Sequence, residues 1–385
     1  MTNYCFITPV WGEKYLDIFL NISLPTQLAS NNLPKIANHQ EVAYLIYTCP
    51  QDVSRLEASP IIARLAKILR TEIIGASQIN FNSSHHYDPF SECYRMGMKK
   101  AEREHAAAVF LTADQVWADG SLSHIIGLGD AGYRAVMISG PRVNQEAFIP
   151  LFKKDFAQKE VINISSRQAV KMSMDHIHPW DRSLFWDKDN IGRSASFMYW
   201  SVPNEGFIMR CFHLHPVFLN PAKRFPRLRQ TIDGSDFVRK ACPNLNDLHV
   251  VQDSDEVMYF SLAPKEQSSE WIDRPKKDLR DTISWARTMG ISRHNLYYLK
   301  KIVRFHTGEI SEKWTEVEKR SDRIVVLLLK VLDKPITLSL MKIYVEFRIQ
   351  LVSLLKRYPK FHSWSREKKN RIFVIISNVL SILRK

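Results

Sequence analysis

Three acidic clusters and a histidine pattern hold the chemistry-bearing residues of this 385-residue chain. Asp114 closes the apolar run Ala108-Val109-Phe110-Leu111-Thr112-Ala113 and precedes Gln115-Val116-Trp117-Ala118-Asp119-Gly120-Ser121-Leu122. An acid at the carboxyl end of a buried strand stands where open α/β sheets place ligands. There a carboxylate can hold a divalent metal that neutralises substrate phosphates, or it can simply turn the chain. The second cluster is Glu205-Gly206-Phe207, then Arg210, then His213-Leu214-His215-Pro216, with an earlier copy of the spacing at His176-Ile177-His178-Pro179. On an extended strand, His-x-His sets both imidazoles on one face, a geometry that suits a metal. The same histidines also suit hydrogen bonding in a half-buried aromatic cleft. Glu205, ahead of a glycine turn, has the type and setting of a general base. The third cluster is Thr231-Ile232-Asp233-Gly234-Ser235-Asp236 with Asp253-Ser254-Asp255-Glu256. Adjacent carboxylates repel unless a cation or arginine lies between them. Asp233 and Asp253 therefore compete with Glu205 as base, against a plain role in turns and in capping a helix over 256–262.

The elements that must position these residues alternate. Apolar runs predict strands at 4–10, 42–49, 72–79, 107–112 and 134–139, with helical spacing over 15–27, 61–69 and 91–105. That order predicts an α/β layer with a largely parallel sheet. From 144 to 264 the signals shorten and aromatic residues accumulate. From Trp271 onward the pattern is helical, with candidates at 279–289, 292–305, 312–332, 338–358 and 365–383. No Gly-x-x-x-x-Gly-Lys-Ser/Thr, Gly-x-Ser-x-Gly or His-Glu-x-x-His occurs, and no Gly-x-Gly-x-x-Gly follows a strand.

The helix containing Gly97 and Ala101, the apolar strand, the acid Asp114 and the Asp119-Gly120-Ser121-Leu122 helix start together resemble the nucleotide-sugar-dependent glycosyltransferases of the GT-A fold. The resemblance covers about the first 150 residues. It implies a GT-A-like (Rossmann-like) mixed, largely parallel sheet flanked by helices, followed by an α-helical C-terminal region. It also implies that Thr8, Pro9 and Val10 form a nucleotide-binding loop and that Asp52 grips the base or ribose. In that family an Asp-x-Asp motif binds Mg²⁺ or Mn²⁺ and the donor diphosphate; here the motif reads Asp114-Gln115-Val116, one carboxylate short. Either Asp114 holds the metal with help from Asp119 or a distant residue such as His213 or His215, or the enzyme works without metal. In the latter case Lys99, Lys100, Arg134 or Arg142 would stabilise the leaving diphosphate. The implied function is transfer of a sugar from a nucleotide sugar to a glycan or lipid-linked glycan, as in bacterial envelope polysaccharide synthesis, with the acceptor entering over 176–216. A non-catalytic assembly protein keeping a degenerate transferase fold is the alternative.

The net charge of +14 divides unevenly. Residues 270–385 hold 26 Lys+Arg against 12 Asp+Glu, so the first 269 residues balance. Lys334 to Lys385 alone hold 12 bases and 2 acids. We therefore expect a transferase domain over 1–265, with a nucleotide-sugar-binding half (1–143) and an acceptor half (144–265), and a basic helical region over 270–385. The basic helices suit an anionic membrane surface, packing on the body, or a homo-oligomer; no helix-turn-helix or aromatic-basic strand supports nucleic acid. Five scattered cysteines and no signal peptide or long apolar span predict a cytoplasmic protein, peripheral on the inner membrane face where it meets lipid.

Overall fold

The computed structural model describes residues 3–37, 41–83, 87–156, 159–187, 196–228, 231–233, 235–267 and 279–334. The expected helices at 338–358 and 365–383 lie outside them. The centre is a seven-stranded sheet built from β1 (Asn3–Pro9), β2 (Val42–Thr48), β3 (Arg70–Gly75), β4 (Ala106–Phe110), β6 (Ala135–Ile138), β10 (His215–Leu219) and β11 (Leu248–Val250). Their order is β11-β6-β10-β4-β1-β2-β3. Every pairing is parallel except the two made by β10, which runs antiparallel between β4 and β6. The mixed α/β class with a largely parallel sheet flanked by helices is thus the class expected.

Both sheet faces are covered, which is why the strands read as unbroken apolar runs rather than alternating ones. Along β1, Cys5 and Ile7 enter one core with Cys93, Met98 and Ala101 of the Tyr87–Arg103 helix. Tyr4 and Phe6 enter the opposite core with Leu16, Phe19, Leu65 and Ile125. Gly97 lets the Tyr87–Arg103 helix lie against β1: a Cβ there would stand 2.6 Å from a side-chain carbon of Ile7.

Two small sheets flank the large one. β12 (Tyr259–Ala263) joins β5 (Gln115–Trp117) to β7 (Arg142–Asn144). The helix expected over 256–262 is this strand instead. Tyr259, Phe260, Leu262 and Ala263 are buried along it and supply a central ladder, so tertiary pairing prevails over local capping signals. The other sheet is antiparallel, with β9 (Gly206–Cys211) between β8 (Phe197–Val202) and β13 (Val303–His306). The helix expected over 292–305 stops early: Arg293–Leu299 is helical, and Val303–His306 pairs with β9. The Leu279–Met289 and Glu312–Leu332 helices agree with their expected spans.

Residues 279–334 pack on this hairpin sheet. Ala286, Leu296, Trp314, Val317 and Leu328 share a core with Met198, Trp200, Ile208 and Phe212. Buried Arg210 ties the layers, with guanidinium donors to Asp322 and to the carbonyls of Leu299 and Lys300. Gly206 (φ +149°) sets the β9–β13 approach, since a Cβ there would fall 1.9 Å from the Phe305 carbonyl oxygen. Gly206→Ala is expected to cost about 3 kcal/mol or more through strain and backbone overlap, read as a lowered denaturant midpoint. All five cysteines are free thiols. Among the described residues, no helix is long and apolar enough to cross a membrane.

Candidate functional site

The insertion of antiparallel β10 beside β4 brings two distant parts of the chain to one edge. β4 ends at Phe110 and β10 begins at His215, so the start of β10 meets the carboxyl end of β4. His215 Nε2 lies 3.2 Å from the Phe110 carbonyl oxygen, and its Nδ1 lies 2.8 Å from Asp233 Oδ1. Both partners are acceptors, so the ring satisfies both only as the doubly protonated imidazolium. Burial pulls the His215 pKa down, but the charge and hydrogen bond of Asp233, the Phe110 carbonyl and the Asp114 charge outweigh it. The net direction is upward from 6.5.

Asp114 stands at the same edge. Its Oδ1 accepts a 2.5 Å hydrogen bond from the Thr112 hydroxyl, and its backbone carbonyl accepts from Leu262 N–H at 2.9 Å. The side chain keeps some solvent exposure, yet its surroundings are close enough that desolvation raises its pKa against the Thr112 hydrogen bond and the His215 charge. Among the described residues it joins no ion pair. Two buried tyrosines feel the charges of both acids. Burial raises the pKa values of Tyr94 and Tyr259, and the charges of both Asp233 and Asp114 raise them further. Asp114, His215 and Asp233 therefore share one electrostatic neighbourhood.

The strand end after β1 differs from expectation. Thr8, Pro9 and Val10 are all buried. The Thr8 hydroxyl donates to the Tyr44 hydroxyl at 3.0 Å, which donates to Gln27 Oε1 at 2.7 Å. Val10 N–H is spent on the Tyr47 carbonyl. The residues left at this edge are Trp11, Gly12 and Asp52, and Asp52 Oδ2 accepts from Gly12 N–H at 2.8 Å. Trp11 packs with Phe81 and Phe90 at centroid distances of 5.1 and 4.6 Å, an aromatic group the sequence reading missed. The apolar-run signal that marked β1 stopped one residue too soon to include Trp11.

Of the remaining candidates, Lys99 is exposed, and the others are engaged elsewhere. Arg142 is held by Asp181, through its N–H at 2.9 Å and its Nε at 2.8 Å, and lies over the Trp180 ring. Lys100 pairs with Glu72 and Glu104, and Arg134 lies 4.0 Å from Asp247. Both Asp119 oxygens accept from Asn31, at 2.8 and 2.7 Å. His213 turns to Asn295 and the edge of Trp285. His178 binds the Pro264 carbonyl and Trp180 N–H, and His176 meets the Phe148 ring. No three of Asp114, Asp119, His213 and His215 bring ligand atoms within 4.8 Å of one another. Asp119, His213 and His215 instead meet Asn31, Asn295 and Asp233.

Glu205 is placed at the start of another helix. Its carboxylate accepts from Ser311 Oγ at 2.7 Å, Lys313 Nζ at 2.7 Å and Trp314 Nε1 at 2.9 Å, at the start of the Glu312–Leu332 helix. The Lys313 and Ser311 hydrogen bonds hold its pKa below the usual carboxylate value. A depressed, fully engaged carboxylate is a weak base and a good helix anchor. Glu205→Ala is expected to lower the melting temperature by a few degrees and leave turnover per folded molecule unchanged. Because the folded pKa is depressed, this contribution is present at neutral pH and is lost as pH falls through the folded value.

Asp253, Asp255 and His306 form the one group of three ligand-type side chains among the described residues. Asp255 also lines a cleft of about 520 Å³ with Asp119, Ser165, Arg167 and Gln168. That cleft does not include Asp114, His215 or Asp233. The edge of β4 remains the stronger candidate, because charged groups from separate elements act on one another there.

No family model matches the sequence, and no curated protein matches it. Among solved structures, the chain is similar to residues 1–349 of S. aureus TarS, at 13% identity and a TM-score of 0.36, covering 92% of this chain and 79% of that one. It is also similar to a longer S. aureus TarS chain, at 11% identity and a TM-score of 0.33, covering 86% of this chain and 43% of that one. Likeness at this level leaves the functional reading to the residues themselves.

Proposed function

We propose that this chain is a glycosyltransferase that moves a sugar from a nucleotide-sugar donor to a glycan or lipid-linked acceptor. One observation carries the reading: Asp114, with no ion-pair partner among the described residues, shares the carboxyl edge of β4 with the His215–Asp233 pair. Open α/β sheets bind ligands at that edge. Asp52 and the Trp11, Phe81 and Phe90 rings frame the nucleoside beside it.

In this reading Asp114 faces the donor diphosphate. A lone carboxylate suits Mg²⁺ or Mn²⁺ when substrate phosphates and water complete the shell, so its donor chemistry fits such an ion. The ion would supply charge neutralisation of the leaving diphosphate. Of the basic residues that could replace it, Lys100, Arg134 and Arg142 already face carboxylates, and Lys99 is exposed. Asp233, half exposed, removes the proton from the acceptor hydroxyl. His215 is a positioning residue: its imidazolium fixes one Asp233 oxygen to the end of β4 and leaves the other for the acceptor.

The domain division at about residue 265 belongs to the same proposal, as does a role in envelope polysaccharide synthesis. The basic 334–385 segment is assigned to an anionic membrane surface on its charge alone, with liposome flotation as its test. The test of the enzymatic reading is nucleotide release from UDP-, GDP-, CMP- and dTDP-sugars by the full chain. Turnover of one donor supports it. The missing second acid of the motif favours a non-catalytic assembly role instead, and no release from any donor would support that second reading.

A further inference from the structure

Asp253, Asp255 and His306 come from segments about 50 residues apart, yet one ligand atom from each lies within 4.8 Å of the others. The backbone brings them together. Asp253 bridges to Arg304, Ser254 N–H donates to the Arg304 carbonyl at 2.9 Å, and Arg304 N–H donates to the Gln252 carbonyl at 2.8 Å. This short ladder joins the loop after β11, in the large sheet, to β13, in the hairpin sheet.

His306 is aimed into the group by its other nitrogen. It is 3% exposed, and its Nδ1 lies 2.5 Å from the Gly308 carbonyl, so Nδ1 carries a proton and donates. Nε2 then faces Asp253 Oδ1 at 2.8 Å and Asp255 Oδ2 at 3.9 Å. The backbone carbonyl on Nδ1 fixes the ring as it does in histidine ligands of metals; without an ion, Nε2 carries a proton and donates it to Asp253, as the ring of His215 does to Asp233. Arg167 holds the Asp255 carboxylate, with its NH2 2.9 Å from Oδ2, the oxygen that faces His306, so the ion would share that oxygen with the guanidinium or displace it.

We propose that Asp253, Asp255 and His306 bind one divalent transition-metal ion, of the Zn²⁺ or Mn²⁺ class, at the junction of the large sheet and the hairpin sheet. One imidazole and two carboxylates suit these ions better than Mg²⁺ or Ca²⁺, which prefer oxygen ligands alone. The ion takes the place of the Nε2 proton and links two elements that already share a ladder, so its effect is to hold the two sheets together. The β11 edge is separated from β4 by β6 and β10. This site shares no residue with the Asp114 edge, and its metal test does not depend on the transferase reading.

The test uses the full chain, stripped with chelator and dialysed against Zn²⁺ or Mn²⁺ alone, with no nucleotide present. Metal analysis is expected to find one ion of either kind per chain, and the bound ion is expected to raise the melting temperature. His306→Gln and Asp255→Asn should each weaken binding by at least about 10-fold. Asp255 is 41% exposed, so Asp255→Asn keeps the test decisive if His306→Gln fails to fold. Asp114→Asn should leave this binding unchanged. Failure of the folded wild-type chain to bind either ion, or binding that both substitutions leave intact, overturns the proposal.

Discussion

Asp114→Ala is expected to reduce donor hydrolysis and sugar transfer by at least about 10²–10³-fold, with the folded structure intact. The carboxylate contributes little to stability: its side chain accepts only local hydrogen bonds, from the Thr112 hydroxyl and its own backbone N–H, and desolvation already works against its charge. Its neighbours Gln115, Val116 and Trp117 form β5 through backbone pairing with β12, which the substitution leaves in place. The loss should therefore appear in donor affinity and turnover together, with unchanged circular dichroism and melting. Near-normal turnover in Asp114→Ala would remove the diphosphate role from this edge.

Asp233→Asn should separate the two halves of the reaction. Loss of the base is expected to lower kcat by about 10²–10⁴-fold, while donor binding at Asp114 persists. His215→Asn acts through Asp233, so it should lower kcat less and also change the pH profile. In the wild type, the His215 pKa is raised, so the imidazolium that positions Asp233 is present below that value and is lost as pH rises through it. The wild-type rate should then carry an alkaline limb above pH 6.5 that His215→Asn lacks. A variant with the full alkaline limb would assign that limb to another group and leave His215 a structural residue.

Much of the large sheet is legible in the sequence because its strands are buried on both faces. Val42 to Thr48 is a run of seven buried residues, too short for a typical helix and rich in β-branched and aromatic residues, which marks it as a strand. Asp114 is legible for the same reason, as the polar residue that ends one of these runs. The position of β10 is not legible. Its neighbours β4 and β6 are set by pairing across about a hundred residues, and His-Pro-Val-Phe-Leu alone does not specify antiparallel insertion between parallel strands. That is why His215 looks like half of a His-x-His metal pair when its partners are a backbone carbonyl and Asp233. Glu205 misleads in the same way: the Ser311, Lys313 and Trp314 donors that occupy it lie more than a hundred residues on. Val303 to His306 continues a helical periodicity until β9 offers an open edge, and pairing then prevails over propensity. The partners of Asp253 and Asp255 are hidden similarly, because His306 reaches them only through that same strand.

The central claim is that the β4 edge grips a nucleotide-sugar donor through Asp114. Calorimetric titration of UDP-, GDP-, CMP- and dTDP-sugars into the full chain, with and without Mn²⁺, tests it most directly. We predict that one donor binds, that Mn²⁺ tightens it, and that Asp114→Asn weakens it by at least about 10-fold, or about 1.4 kcal/mol. Absence of binding by every donor, or binding indifferent to Asp114→Asn, would contradict the claim.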